Sequence, residues 1–459
     1  MKKLIRIYIR LFTLIAISTG ILSCKKFVAV DPPKTAITST ELFSTEQGAI
    51  SAVTGLYSQM SLANLNITNG GVTVYSGLSS DEIVNTSTNA TFDQFKNNAL
   101  ASDNSVVSSR FWTPAYRIIY QANAILEGLL SSSTLSTPVK NQLKGEMLLV
   151  RALHYFYLVN CFGDVPFITI TDYKVNGSYP RTGSANIYSS MISDLKEAQN
   201  LLQESYPTTT KGRPNKWTVT ALLARIYLYQ KDWANAEALA SNIINSGKYN
   251  LVSNLTTVFT PSSQEVIWLL QRDNNNTAEG ITFVPTSSTA RPQFAITNSL
   301  LGSFEAADNR KNVWLQKNVV SGQTYYYPYK HKIRASTPIT EYLVIFRLAE
   351  IYLIRAEAQA NQNKLTQAES DLNLIRTRAG LTTISGTNMA GLLNAIGHER
   401  QIELFAEWGH RWFDLKRTGS AEAVLSQLKG SNWQNTDQLY PLPFGELQVN
   451  PFLTQNPGY

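Results

Sequence analysis

The chain of 459 residues carries 40 Lys and Arg against 33 Asp and Glu, for a formal net charge of +7. Four of the basic residues stand in the first ten positions and no acidic residue precedes Asp31. Without residues 1–23 the balance is 36 against 33, which is no signature of a nucleic-acid partner. A hydrophobic fraction of 43% with 16% charged residues excludes a disordered chain, and two cysteines exclude a disulfide framework.

The N-terminus has the pattern of a bacterial lipoprotein precursor. The apolar run from Leu11 to Leu22 is shorter than the roughly 20 residues that a membrane-spanning helix takes, and it suits a secretory signal. Ser23-Cys24 then resembles a lipobox, whose cysteine is acylated and becomes the new N-terminus. We predict a signal peptide over 1–23, lipid attachment at Cys24 and an exposed tether over 24–38. The alternative is a plain secretory signal with an incidental cysteine.

Helical periodicity dominates the remainder of the chain. Apolar residues recur at i, i+3 and i+4 spacing, which is typical of amphipathic helices. The predicted helices are Lys144–Val159, Trp217–Tyr229, Trp233–Ile244, Tyr342–Gln359, Thr366–Ala379 and Gly391–Phe405. This pattern predicts a mostly α fold.

Two segments repeat one pattern of small and apolar residues. The first set is Ala224, Tyr227, Ala236, Ala240 and Ile243, and the second is Ala356, Gln359, Ala368, Leu372 and Ile375, with the same spacing. This pattern resembles the tetratricopeptide unit, in which small residues let paired helices approach closely. We therefore predict a helical-repeat scaffold with loop-rich and short-β insertions.

The insertions and the C-terminal tail differ from the helical segments in composition. Residues 64–108 are rich in Asn, Ser, Thr and Gly, and residues 250–340 mix short β-like runs, such as Thr282–Val284, with polar loops. Four of the 17 prolines lie in 440–459, which predicts an extended, non-helical tail. We divide the body into an N-terminal part, 39–250, and a C-terminal part, 251–459, with a variable insertion at about 251–340.

Four motifs follow the lipobox in order. Their residues are Arg151 with Gly163, Asp164 and Pro166; the run Arg347 to Ala358; Glu399, Arg400, Glu403, Arg411, Trp412 and Asp414; and the ending Tyr440 to Tyr459. In these motifs the chain resembles the SusD/RagB family, the outer-membrane nutrient-binding lipoproteins of Bacteroidetes. The resemblance covers nearly the whole mature chain, and it implies a SusD-like fold in which these residues form a structural signature.

The third motif also has a direct physical interpretation. Glu399, Glu403 and Glu407 lie at i, i+4 spacing, which predicts three like charges on one helical face. Such charges need cations, and the candidates are Arg376, Arg378, Arg400, Arg411 and Arg417, because guanidinium binds carboxylate in bidentate geometry. We interpret the group as a structural ion-pair network. A catalytic carboxylate pair is the alternative.

The sequence contains few signs of a catalytic or metal-binding site. The four histidines form no zinc-binding spacing, and no nucleophile elbow, dinucleotide fingerprint or phosphate loop is present in the sequence. Asp273–Thr277 is rich in oxygen ligands but lacks the closing Gly and Glu of an EF-hand, so a flexible polar loop is the expectation. We predict no metal site, no cofactor and a buried, unreactive Cys161.

The resemblance implies a ligand surface built from loops of the two polar insertions. Sugar binding needs aromatic faces for stacking and polar groups for the hydroxyls. The candidates are Tyr75, Asp81 and Asn85 in the first insertion, and Arg310, Trp314, Gln323, Tyr325 and Tyr327 in the second. For each aromatic candidate, core packing or contact with a partner is the alternative.

The resemblance further implies a function and a location. The expected protein is a non-enzymatic, lipid-anchored and surface-exposed oligosaccharide-binding protein of the outer membrane. It would deliver its ligand to a SusC-like TonB-dependent transporter. Two alternatives stay open: a helical-repeat interaction scaffold or peptide-binding relative without sugar binding, and a glycoside hydrolase.

Overall fold

The computed structural model describes residues 1, 3–5, 7–8, 38–272, 275–335 and 338–459. The predicted lipidation site Cys24 lies outside these residues, as do most of the predicted signal and tether and two residues of the Asp273–Thr277 loop. Within the described ranges, no helix combines the length and the apolar character that crossing a bilayer requires.

Helices build most of the body, and the strands are short. The helices are α1 (Ser39–Leu42), α2 (Glu46–Leu62), α3 (Gly71–Ser79), α4 (Ala90–Asn97), α5 (Thr113–Ser131), α6 (Thr137–Phe162), α7 (Tyr173–Asn176), α8 (Ser184–Leu201), α9 (Lys216–Tyr229), α10 (Trp233–Asn245), α11 (Ala278–Phe283), α12 (Asn298–Ser303), α13 (Asn309–Val313), α14 (Leu348–Asn361), α15 (Leu365–Arg378), α16 (Met389–Glu403), α17 (His410–Arg417), α18 (Ala421–Lys429) and α19 (Phe444–Val449). The strands are β1 (Ile83–Asn85), β2 (Val266–Leu270), β3 (Phe294–Ile296), β4 (Leu315–Val320), β5 (Gln323–Pro328) and β6 (Leu343–Arg347). The predicted mostly α fold is confirmed.

The repeated sequence pattern corresponds to two helical hairpins, α9–α10 and α14–α15. All ten repeat positions are buried, and α10 packs against α14, so the two hairpins are neighbours. Their turns also match, because Lys231 and Asn363 stand seven residues after Ala224 and Ala356 and have left-handed φ values of 58° and 59°. The repeat therefore extends from side-chain spacing to backbone conformation.

Three predicted elements differ in the structure. The predicted helix Tyr342–Gln359 begins only at Leu348, because Leu343–Arg347 forms strand β6, antiparallel to β2 and buried throughout. Thr282–Val284 is not a strand, since α11 continues through Phe283 from a cap at Thr277. The C-terminal tail contains the short helix α19, which begins directly after Pro443, so the prediction of a wholly non-helical tail was wrong.

Arg347, the last residue of β6, lies at the centre of a buried ion-pair network. It is 1% exposed. Its guanidinium donates to Glu265 Oε1 at 2.9 Å, to Glu403 Oε1 at 2.6 Å and to both oxygens of Glu407 at 2.8 Å. A further hydrogen bond runs to the Glu403 carbonyl at 2.7 Å. One side chain thus joins the β2–β6 pair to the end of α16.

Arg310 and Arg378 extend this network on the same carboxylates. Arg310 donates to Glu399 at 2.5 Å, to Glu403 at 2.9 Å and to both oxygens of Asp308. Arg378 contacts Glu403 and, at 2.7 Å, Glu265. Burial alone would raise the pKa of Glu403, but its arginine partners hold that pKa well below the usual range. Of the five arginines predicted as partners, Arg376 and Arg378 contact these glutamates. The other three pair with different carboxylates, namely Arg400, Arg411 and Arg417 with Asp414, Asp81 and Glu357. The sequence analysis missed Arg310 and Arg347.

The three glutamates do not share a helical face, as the sequence analysis had predicted. Helix α16 ends at Glu403, and Glu407 lies in the following turn, where Ala406 and Trp408 both have a φ of 50°. This turn brings the Glu407 carboxylate back towards Arg347 and Lys330. The three carboxylates converge through the turn and not through helical periodicity.

The Arg347 network gives the first testable expectation. Replacing Arg347 with Met leaves Glu403 and Glu407 buried with fewer partners, and losing one member of a buried ion pair costs about 3–5 kcal/mol. The matched control is Lys144→Met, which removes a pair with Glu197 that is 44% and 47% exposed and should cost at most about 1 kcal/mol. Urea unfolding of both variants measures the difference. Equal, small losses would contradict the role of the network.

Candidate functional site

The two polar insertions meet through a short antiparallel ladder. Strand β1 of the first insertion pairs with β3 of the second, with Ile83 opposite Ile296 and Asn85 opposite Phe294. The ladder continues through the Thr86 amide, which donates to the Gln293 carbonyl at 2.9 Å. Segments some 200 residues apart in the chain therefore form one surface.

The β4–β5 hairpin lies beside this ladder and is held by Asn318. Its turn residues Ser321 and Gly322 have φ values of 52° and 80°, as a tight two-residue hairpin turn requires. The Asn318 amide donates to the carbonyls of Ser287 at 2.9 Å and Ala290 at 2.7 Å. The loop before β3 is thereby fixed against the hairpin.

Tyr325 and Gln323 lie on the same face of this hairpin as Asn318. Gln323 is exposed and Tyr325 is half-buried. The exposed Arg291 guanidinium lies 5.4 Å from the centre of the Tyr325 ring and donates to the Thr86 carbonyl at 3.3 Å. An aromatic ring, a guanidinium and a side-chain amide are thus presented together, which are the groups that stack on a sugar ring and bind its hydroxyls.

The other six predicted ligand residues are buried, and this corrects the candidate set. Tyr75 packs among three phenylalanines, and Asp81 is bidentate with Arg411 at 2.8 Å. Arg310 belongs to the ion-pair network. Trp314 donates through Nε1 to the Leu255 carbonyl at 3.0 Å. The Asn85 side-chain amide donates to the Ser87 carbonyl, and the Tyr327 ring packs against Tyr329. None of these six presents a free face to a ligand, because each is less than 10% exposed.

Arg291 was missed by the sequence analysis. A basic residue between a proline-bounded loop and a short apolar run carries no periodic signal. Tertiary contacts place Arg291 beside Tyr325, because Asn318 of the hairpin holds the carbonyls of Ser287 and Ala290 in the loop that leads to Arg291.

The remaining signature residues support the scaffold around this surface. Arg400 and Arg417 share Asp414 at 2.8 and 2.7 Å, and Trp412 stacks on Tyr440 with ring centres 6.3 Å apart. The Arg411–Asp81 pair ties α17 to the segment just before β1. Among the described residues, no group of three or more His, Cys, Asp or Glu side chains is arranged to hold a metal ion.

The first signature motif forms a helix end and a turn. Gly163 follows α6 with a φ of 72°, and Asp164 accepts hydrogen bonds from the amide and hydroxyl of Ser184. The Pro166 carbonyl accepts from the Tyr116 hydroxyl at 2.8 Å. On α6 itself, Arg151 is bidentate with Asp194 at 2.9 Å, which joins α6 to α8.

Each of the two polar insertions contains a buried glutamate with a raised pKa. Burial raises the pKa of Glu82, which directly precedes β1, to about 8, and the neighbouring Asp81 adds to that rise. Burial also raises the pKa of Glu279 on α11 to about 8, although a hydrogen bond from Thr73 opposes the shift. Both side chains are therefore protonated at neutral pH.

Comparison with known proteins identifies the fold and the family. The helical-repeat body with its two joined insertions is a SusD-like fold: a SusD superfamily protein from Bacteroides vulgatus superposes with a TM-score of 0.81 at 22% identity, over 90% of this chain and 99% of that one. A structure described as a laminarin binding SusD-like protein superposes with a TM-score of 0.75 at 24% identity, over 90% and 99% of the two chains. A SusD-like protein of Formosa agariphila is 28% identical over 95% of this chain and 97% of its own.

Two family models match two separate parts of the chain. Residues 27–228 match the model described as "Starch-binding associating with outer membrane", and residues 296–459 match the model of the SusD family. The chain therefore belongs to the SusD/RagB family, and the resemblance drawn from the four motifs is confirmed.

The raised pKa values of Glu82 and Glu279 predict a pH-dependent stability. Because each folded-state pKa of about 8 lies above the ordinary 4.5, the stabilising proton is fully bound below pH 4.5 and is lost as the pH rises through 8. The free energy of unfolding should fall with rising pH by up to about 1.4 kcal/mol per pH unit for each group. The Glu82→Gln variant lacks one of these two titrating groups. The decrease of its unfolding free energy with pH should therefore be smaller by up to about 1.4 kcal/mol per pH unit, as measured by urea unfolding from pH 5 to pH 9.

The Glu279→Gln variant provides an independent repetition, because it removes the second group and leaves Glu82 in place. Parallel slopes for the wild-type protein and both variants would contradict the assignment of these protons.

Proposed function

We propose that the protein binds oligosaccharides, without catalysis, at the surface formed by the β4–β5 hairpin and the β1–β3 loops. The observation that carries the proposal is the group of Tyr325, Gln323 and Arg291 on one face of a hairpin that Asn318 anchors. Membership of a family whose relatives include a laminarin binding protein supports a carbohydrate ligand.

The positions of the acidic side chains support a binding role over a hydrolytic one. A glycosidase needs two carboxyl groups that reach the scissile bond from opposite sides. Glu399, Glu403 and Glu407, the carboxylates considered for that role, are buried and engaged by arginine or lysine. This arrangement suits the structural network that the sequence analysis predicted.

The binding proposal predicts a loss of affinity in Tyr325→Ala. Affinity electrophoresis in native gels that contain laminarin, starch or xylan measures retardation by each polysaccharide. Removing a central aromatic contact should weaken binding about tenfold or more in the gel that retards the wild-type protein.

Val319→Ala is the matched control for Tyr325→Ala. Val319 lies on the same hairpin, is 58% exposed and faces the opposite side from Tyr325. Its replacement should leave retardation unchanged. Equal retardation of Tyr325→Ala and wild type in every gel would contradict the assigned surface.

We further propose that Cys24 is acylated, that the protein is held at the cell surface on the outer membrane, and that it passes its ligand to a SusC-like TonB-dependent transporter. The lipobox pattern and the description of the family model that matches residues 27–228 support this location. A binding surface made for capture and not for turnover suits delivery to a separate transporter.

Membrane fractionation of producing cells tests the anchor and the partner together. We expect wild type in the outer-membrane fraction, co-purifying with a large β-barrel protein, and Cys24→Ala in the soluble fraction. Cys161→Ala is the control, because that thiol is buried in α6. Recovery of Cys24→Ala with the membrane in wild-type amounts would contradict lipid anchoring, and absence of a β-barrel partner would contradict the transporter.

A further inference from the structure

A second aromatic cleft lies on a different part of the molecule. It has a volume of 460 Å³ and is bounded by the start of α5, by α7 and by the C-terminal tail around α19. The elements of the hairpin surface do not line it. Its size falls within the range of roughly 300–1,000 Å³ that small-molecule sites occupy.

Three aromatic rings follow one another along the α5 side of this cleft. Trp112, Tyr116 and Tyr120 are spaced i, i+4, so they lie on one helical face. The Trp112 and Tyr116 ring centres are 4.9 Å apart, and the Tyr116 hydroxyl is fixed on the Pro166 carbonyl. Trp112 is 4% exposed and Tyr120 is 50% exposed. Trp112 therefore presents no free face and closes the inner end of the cleft, while the open ring is that of Tyr120 at the rim.

The backbone that sets the first ring has an uncommon geometry. Val107–Trp112 forms a π-helical turn that runs directly into α5. Such turns are rare and occur frequently at functional sites. Here the turn places Trp112 at the inner end of the row of rings.

Polar groups stand around the rings. Arg117 is exposed and forms no ion pair within the described part of the chain. The Asn176 amide donates to the Ile170 carbonyl at 2.8 Å, while its Oδ1 finds no donor among the described residues. Across the cleft, Tyr173 is 75% exposed, and Glu446 accepts a hydrogen bond from Trp112. These groups supply donors and acceptors beside the aromatic faces.

We propose that this cleft, the aromatic cleft, is a second carbohydrate-binding site, which takes one or two sugar units of the same polysaccharide. The inference rests on the proposed function. Aromatic faces bordered by an unpaired guanidinium and tyrosine hydroxyls suit a ligand with apolar C–H faces and many hydroxyls. Two sites on one long chain raise the overall affinity through effective concentration, without a new contact at the first site.

The test uses a double variant, Tyr120→Ala with Tyr173→Ala, in the same laminarin, starch and xylan gels. Both side chains are largely exposed, and circular dichroism melting checks that the variant folds as the wild type does. Retardation should weaken about tenfold in the gel that retards the wild-type protein. Tyr120→Phe with Tyr173→Phe keeps the rings and should bind within about twofold of wild type. Leu130→Ala, at the 86% exposed far end of α5, should leave retardation unchanged.

The outcomes separate this inference from the proposed function. Unchanged retardation of the double Ala variant, with loss in Tyr325→Ala, overturns the aromatic cleft alone. Loss in the double Ala variant with unchanged Tyr325→Ala supports the cleft and contradicts the hairpin surface. A double Ala variant that keeps polysaccharide binding but no longer co-purifies with a β-barrel protein overturns the inference in favour of protein docking. Absence of wild-type retardation in all three gels contradicts both proposals.

Discussion

The fold depends on one buried guanidinium and the carboxylates around it. Arg347 ends β6 and directly precedes α14, so its position fixes where the strand pair stops and where the second helical hairpin begins. Its partners come from the start of β2 and from the end of α16. Buried charges are costly unless each is matched, so these elements are held in one relative arrangement.

The exposed residues of the two polar insertions lie outside this network, although Arg310 and Lys330 of the second insertion belong to it. Strand β1 contributes three paired residues, and the hairpin is held to the loop before β3 through the two hydrogen bonds of Asn318. The Arg411–Asp81 pair connects the first insertion to the signature helix α17. Exposed loop residues on such a scaffold can change without disturbing the core. Tyr325 and Gln323 are residues of this kind, and Arg310 and Trp314 are not.

Local patterns predicted most of the scaffold. The repeats and their helices follow from periodicity within about twenty residues. The four motifs indicated the family. Tyr342–Arg347 was misassigned because a fully buried strand shows no alternation, and its apolar run continued the periodicity of α14. Glu407 was misplaced because two of the left-handed residues that end the helix, Ala406 and Trp408, are of types that rarely adopt this conformation, and only Gly409 marks the turn.

The proposed ligand surface could not be predicted from the sequence, because it depends on contacts between distant segments. Tyr75 was a ligand candidate with core packing as its alternative, and the structure shows the packing, because Phe92, Phe95 and Phe111 enclose its ring. Arg291 carried no sequence signal, yet the hydrogen bonds of Asn318 to the loop of residues 287–290 hold it beside Tyr325. Aromatic residues in a polar insertion serve either to close a small core or to face solvent, and composition is the same in both cases. What distinguishes the two is whether tertiary partners cover the ring. Tyr325 on the hairpin and Tyr120 on α5 keep open faces, whereas Tyr75 in the first insertion does not.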